Sequence, residues 1–409
     1  MSRGRAVRRA ISGVVALAVV LATVYAAAAL TAPVPRLTVD ERLPAPASGS
    51  WSDAVPLPAT GATAILAGAS EPVLARDAEP RPIAGAAKLV LIAVVLDAEP
   101  LAAGSPGPAI TIDQAAVDRY RELDAAGART VPVVFGQTWT RRDLIAATLL
   151  GSGNNIAELL IDTVFGGPEE YLQAAAAWLE AQGLTQTTVA DGAGLDPASR
   201  STAAELTTIT GLALASPVVA ELVAERPRST AGGAAFSDQA AFLRDLGTAG
   251  LVRSYSDAAG VCVVTTVEVG GEAVVVVLLG QPTYPRAEEA LTAIVDGLRE
   301  AIRPVELIAA GEVVAVLRSD WGQQTEVVAT EQVVVSSTAV DSTVLRLEVA
   351  PRSTIVRGAD AGELVATIAD GSGGGTEVRV RLEATGGITE PGVAWRFADP
   401  FTVLGRWGG

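Results

Sequence analysis

The chain contains no histidine and a single cysteine, Cys262, and these two counts decide which chemistries its other reactive side chains can join. Ser-His-Asp and Cys-His nucleophilic sites are excluded, as are zinc sites built on imidazole. One cysteine also excludes an intramolecular disulfide and a Cys-x-x-Cys pair, so acid-base work falls to Lys, Asp, Glu or Tyr. Cys262 itself lies in Val261-Cys262-Val263-Val264, an apolar run that reads as a buried strand, and it is expected to be a small core hydrophobe. Ser152-Gly153-Asn154 sets a hydroxyl and an amide two residues apart. Ser-x-Asn alone carries little weight, because it is also a common connection between helices. With 46 acidic and 30 basic side chains, the formal net charge is -16. No basic patch follows the first ten residues, so a role on nucleic acid, which needs cations against phosphate, is not expected. Neither a metal nor a cofactor is expected.

The elements that must position such residues can be read from periodicity. Arg3, Arg5, Arg8 and Arg9 precede an uncharged apolar stretch from Ile11 to about Ala32, long enough to span a bilayer as a helix. The arginines should stay cytoplasmic, which puts the rest of the chain outside. Ala26 to Ala29 offer small residues to a signal peptidase, but the length of the stretch favours an uncleaved anchor. Residues 33–59 are rich in Pro and Ala, with Pro33-Val34-Pro35 and Pro44-Ala45-Pro46, and read as a tether. Thr63 to Ala67 reads as the first strand, with a second short one around Pro72 to Ala75, and Ile83 to Leu96 reads as a largely buried helix. Thr140-Arg141-Arg142-Asp143 and Thr202-Ala203-Ala204-Glu205 are expected capping boxes, each opening a helix. Helices are also expected from Asn154 and from Pro168. Gly270-Gly271 between two apolar runs predicts a hairpin, and Arg286 to Ile302 a closing helix. Strands flanking a helical middle give an α+β architecture.

From about Pro304 onward the sequence is β-branched and Gly-punctuated, a separate β domain. It contains a repeat with an offset of 51 residues: Ala310-Gly311-Glu312-Val313 returns as Ala361-Gly362-Glu363-Leu364, and Thr325-Glu326-Val327 as Thr376-Glu377-Val378. Two similar hairpins packed together are expected. The predicted organisation is therefore 1–32 anchor or signal segment, 33–59 linker, 60–303 α+β domain and 304–409 β domain.

Three segments, in this order and spacing, carry a resemblance. They are Leu150-Gly151-Ser152-Gly153-Asn154-Asn155, then Gly183 to Leu195 with its Ala190-Asp191-Gly192-Ala193-Gly194, then Ser201-Thr202-Ala203-Ala204-Glu205-Leu206. Together with Tyr255-Ser256-Asp257-Ala258-Ala259-Gly260, residues 60 to 303 resemble the low-molecular-weight penicillin-binding D-alanyl-D-alanine carboxypeptidases, serine peptidases of the β-lactamase/transpeptidase-like fold. The resemblance implies three motifs. Ser-x-x-Lys places a nucleophile and its base one helical turn apart, Ser-x-Asn relays protons and holds substrate, and Lys-Thr-Gly on an edge strand binds the peptide's terminal carboxylate.

By that resemblance Lys88, Ser152 and Asn154 keep their places, while the nucleophile position is Gly85 and Val252, Arg253 and Ser254 stand where Lys-Thr-Gly is usual. Arg253 and Ser254 remain candidates for substrate binding, since a guanidinium suits a carboxylate. The leading expectation is a silent relative outside the membrane that binds wall peptides or envelope proteins. Two alternatives stay open: an active carboxypeptidase with Ser152 as relocated nucleophile and Lys88 as base, and a scaffold acting through the β domain.

Overall fold

The computed structural model describes residues 3–44, 51–68, 73–74, 78–369, 375–398, 401 and 405–407. In chain order its elements begin with α1 (Arg3–Thr31), β1 (Thr38–Glu41), β2 (Ala62–Ala67), β3 (Val73–Leu74), β4 (Arg81–Pro82) and α2 (Ala87–Ala98). The helical middle comprises β5 (Ala109–Thr111), α3 (Gln114–Ala125), β6 (Thr138–Thr140), α4 (Arg141–Leu149), α5 (Asn154–Phe165), α6 (Pro168–Ala181), β7 (Arg200–Ser201), α7 (Ala203–Ala215) and α8 (Pro217–Glu225). Then come β8 (Thr248–Ser256), β9 (Gly260–Val269), β10 (Glu272–Gln281) and α9 (Tyr284–Ala301). The last part holds β11 (Pro304–Ile308), β12 (Val313–Arg318), β13 (Gln324–Ala329), β14 (Val333–Ser336), β15 (Thr343–Val349), β16 (Asp360–Ala369), β17 (Gly375–Ala384) and α10 (Val393–Phe397). Pro72 and Ala75 of the expected second strand, and Ala45 and Pro46 of the tether, lie outside the described residues.

The chain forms two compact units, one of residues Ser48–Pro304 with Ser336–Ala339, the other of Met1–Ala47, Val305–Val335 and Val340–Gly409. The first is α+β, built on an antiparallel sheet of order β3-β2-β10-β9-β8. Both faces of this sheet are covered, which is why β10 reads as an unbroken apolar run rather than an alternating one. Val274, Val276 and Leu278 join a core with Leu291, Ile294 and Leu298 of α9. Val275, Val277 and Leu279 turn the other way, into the core that contains α2. Gly270 and Gly271, at φ +61° and +85°, close the two-residue turn between β9 and β10. Both values lie in the left-handed region, which favours glycine at each position of the turn.

Apart from Lys88, helix α2 is apolar and buried on every side from Ala87 to Leu96, the central helix of the unit. Around it, α4 starts with a complete capping box: the Thr140 hydroxyl accepts from the Asp143 amide, and the Asp143 carboxylate accepts from the Thr140 amide. The box expected at Thr202 is only half formed. Thr202 accepts from the Glu205 amide, but the Glu205 carboxylate is taken by the Gln186 amide and the Thr187 hydroxyl. A tertiary partner in the 183–188 loop outcompetes the local one.

The second unit is an antiparallel β domain with the sheet order β1-β12-β13-β17-β16-β15. The repeated segments fall on equivalent strands of two hairpins, β12–β13 and β16–β17, which pair through β13 and β17. Within the Pro- and Ala-rich stretch, Thr38–Glu41 is an edge strand against β12. The same stretch also holds the 3-10 turn Trp51–Ala54, whose indole belongs to the core of the α+β unit.

Candidate functional site

Lys88 is the second residue of α2 and only 4% exposed. A buried ammonium is costly unless it is paired, and the amine donates one hydrogen bond, 2.8 Å long, to the Ala193 carbonyl. Burial pushes its pKa down to about 7, the Asp191 carboxylate opposes the fall, and the Arg129 guanidinium adds to it. The amine is therefore poised to exchange a proton near neutrality.

The loop that presents Ala193 is held by one side chain. The Asp191 carboxylate accepts from the amides of Ala193 at 2.7 Å, of Gly194, of Leu195 at 3.2 Å and of Asp196 at 2.6 Å. Gly194, at φ +75°, packs so closely on the 3-10 turn Ala84–Ala86 that an added Cβ would stand 1.7 Å from the Ala84 carbonyl oxygen. Ala84 itself is forced to φ +44°, a strained value for a residue with a Cβ. Ser152, between α4 and α5, is strained in the same way at φ +51°. Asn154 opens α5, where its amide donates to the Arg129 carbonyl at 2.9 Å. The adjacent Asn155 side chain pairs in both directions with the Val131 backbone, at 2.9 and 2.8 Å, fixing the strap that carries Arg129.

Gly85 lies at the centre of this arrangement. A Cβ built there would be 3.7 Å from the Lys88 amine, so the residue faces that amine. The same Cβ would be 3.1 Å from the Ser254 Cβ and 3.4 Å from its hydroxyl oxygen. The side chain absent from Gly85 is thus matched by one projecting from β8 into the same space. The Ser254 hydroxyl is buried and has no hydrogen-bond partner among the described residues. Successive residues of a strand face opposite ways, so Arg253 points to the other side of the sheet. Its guanidinium lies 4.7 Å from the ring centre of Tyr284 and 5.7 Å from that of Phe242. Val252, back on the Ser254 side, is buried in the α2 core.

Lys88, Ser152, Asn154 and Ser254 come together along one groove of about 460 Å³, with Gly85 in its floor and Arg129 on its wall. Arg253 does not line it. A larger cavity of about 620 Å³ lies among α3, α5 and α6, bounded by Asp113, Arg119, Glu158 and Asp162 and by none of the three motif side chains. Chemistry rather than volume picks out the site. Sequence reasoning missed two of its residues. Arg129 stands in no motif, and Asp191 sits within the segment that carried the resemblance but had no role there. Cys262 is buried in the sheet, and burial pushes its thiol up to about 11.

The groove, the strained serine before α5 and the buried lysine at the start of the central helix lie in a domain with the transpeptidase-like α+β fold. Residues 58–283, more than half of the chain, match the family model described as D-alanyl-D-alanine carboxypeptidase, and the chain belongs to that family. Among solved structures it is similar to penicillin-binding protein 6B from Escherichia coli, with TM-score 0.56, 16% identity, and coverage of 83% of this chain and 98% of that one. Penicillin-binding protein 5 from Haemophilus influenzae gives 0.54, 16%, 82% and 99%. A serine-to-alanine mutant of the Streptomyces K15 DD-transpeptidase gives 0.51, 20%, 59% and 98%. At these identities the likenesses bear on the fold, and the first two extend past the α+β domain into the β domain. No curated protein matches the chain significantly.

Proposed function

We propose that this protein is an envelope member of the carboxypeptidase family that binds the stem peptides of peptidoglycan without forming an acyl-enzyme at residue 85. The observation that carries this reading is Gly85: it faces the Lys88 amine and has no atom with which to attack a carbonyl. Retention of the rest supports binding. Lys88, Ser152 and Asn154 still line an open groove, and strain is still held at Ala84 and Ser152, a cost that a site without use need not bear. The test is incubation of the full chain with a fluorescent penicillin, alongside calorimetric titration with an N-acetylated tripeptide ending in D-Ala-D-Ala. Peptide binding without a covalent adduct is the expected result. An adduct overturns the reading.

A second reading, hydrolysis with Ser152 as nucleophile and Lys88 as base, is favoured by an amine that is neutral in part at pH 7. Against it, the amine bonds the Ala193 carbonyl. Release of D-alanine by the wild type, lost in Ser152→Ala, would establish it.

We also propose that α1 is a retained anchor, with the domains on the extracytoplasmic side. Val7–Thr31 is long and apolar enough to cross a membrane. Its end is tied into its own unit: Tyr25 packs edge-on against Phe397, and Arg396 donates to the carbonyls of Leu30 and Ala32. Cleavage among Ala26 to Ala29 would discard the Tyr25 half of these contacts.

A further inference from the structure

The groove is cationic in an anionic protein. Among its described lining residues the charged side chains are Lys88 and Arg129, and no carboxylate joins them, although the chain carries 46 acidic groups against 30 basic ones. Elsewhere in the α+β unit several half-buried arginines pair with carboxylates, Arg119 with Glu158, Arg142 with Glu221 and Arg226 with Asp238, while Arg253 stacks on the Phe242 and Tyr284 rings. Arg129 has no carboxylate partner among the described residues. Its Nη1 donates to the Arg253 carbonyl at 2.9 Å, one use of a planar group that offers five N–H donors. Its own carbonyl accepts from the Asn154 amide. The residue therefore bridges the Ser152-Gly153-Asn154 segment and strand β8, and it lines the same groove as Lys88.

Both cations line the groove, and Arg129 lowers the Lys88 pKa by charge repulsion, an effect smaller than the opposing one of the Asp191 carboxylate. An anionic ligand would relieve that repulsion. Strand β8 cannot supply the cation for such a ligand, because Val252 is apolar and Arg253 is turned onto the Phe242 and Tyr284 rings. We propose that Arg129 is the carboxylate anchor of this groove, taking the terminal carboxylate of a peptide through the free edge of its guanidinium, opposite the Lys88 amine. This assignment rests on the reading of the groove as a peptide-binding site.

The experiment titrates the full chain with the N-acetylated D-Ala-D-Ala tripeptide and with its C-terminal amide, in the wild type, Arg129→Gln and Arg129→Lys. Gln keeps a donor for the Arg253 carbonyl while removing the charge and the fork, and an unchanged melting temperature certifies the fold. The wild type is expected to prefer the free carboxylate at least tenfold. Arg129→Gln should lose that preference while binding the amide as before, and Arg129→Lys should recover part of it. A wild-type preference that persists undiminished in Arg129→Gln overturns the assignment and leaves the groove a peptide site. Failure of the wild type to bind either peptide overturns both. Independently, the Lys88 amine, followed by NMR, should titrate at higher pH in Arg129→Gln; an unmoved titration would mean that the two cations do not share the groove.

Discussion

Gly85 and Ser254 face each other across the start of α2, the helix position without a side chain and the strand position with one. The two positions are coupled through the space between them. A Cβ at 85 and the Cβ at 254 would be 3.1 Å apart, so side chains at both positions require their surroundings to give by a few tenths of an ångström. Gly85→Ser alone should destabilise the protein by about 1–3 kcal/mol, the usual cost of overpacking. Adding Ser254→Gly should recover much of that loss, and a double-mutant cycle by chemical denaturation would measure the coupling. Strict additivity would show that the positions do not share space. Lys88 makes a second prediction. Its folded pKa, about 7, lies below the 10.5 of the unfolded chain. Between these values the unfolded state holds the extra proton, so raising the pH favours folding. Relative to Lys88→Met, the wild type should gain up to about 1.4 kcal/mol of stability per pH unit from 7 to 10.5. Below pH 7 the difference should be level, at its largest in favour of Met.

The loop from Asp191 to Asp196 is the element that keeps the site in shape. One carboxylate satisfies four successive amides, and the carbonyl it thereby aims is the acceptor for Lys88. Asp191→Ala should cost about 2–4 kcal/mol, since hydrogen bonds to a charged group contribute more than neutral ones and the loop amides lose their common partner. It should also lower the Lys88 pKa further, because Asp191 is the group that holds it up. Thermal denaturation and NMR titration of the same variant would check both. A drop in stability with no movement of the lysine would separate the loop's structural role from its electrostatic one.

At the scale of the whole molecule, the apolar N-terminal helix and the edge strand β1 belong to the same unit as the C-terminal β domain. Protein extracted from membranes should therefore retain residues 1–32, and its intact mass would show whether it does. Much of this organisation was legible in the sequence. Periodicity located α2 and the helices from Asn154 and Pro168, paired glycines located the β9–β10 turn, and the 51-residue offset located two hairpins. Local rules suffice where neighbours along the chain supply the partners, as in the Thr140 capping box, and fail where a distant loop competes, as at Glu205. Sequence by itself also excluded an imidazole anywhere in the chain and a hydroxyl at residue 85, because no fold can supply either. Only tertiary structure decided what the remaining side chains do. It turned Arg253 away from the groove through the alternation of a strand and set the Ser254 hydroxyl in the space above Gly85. It also carried Arg129, which no motif marks, to the side of Lys88, since electrostatic and steric neighbours depend on distance in space rather than separation along the chain.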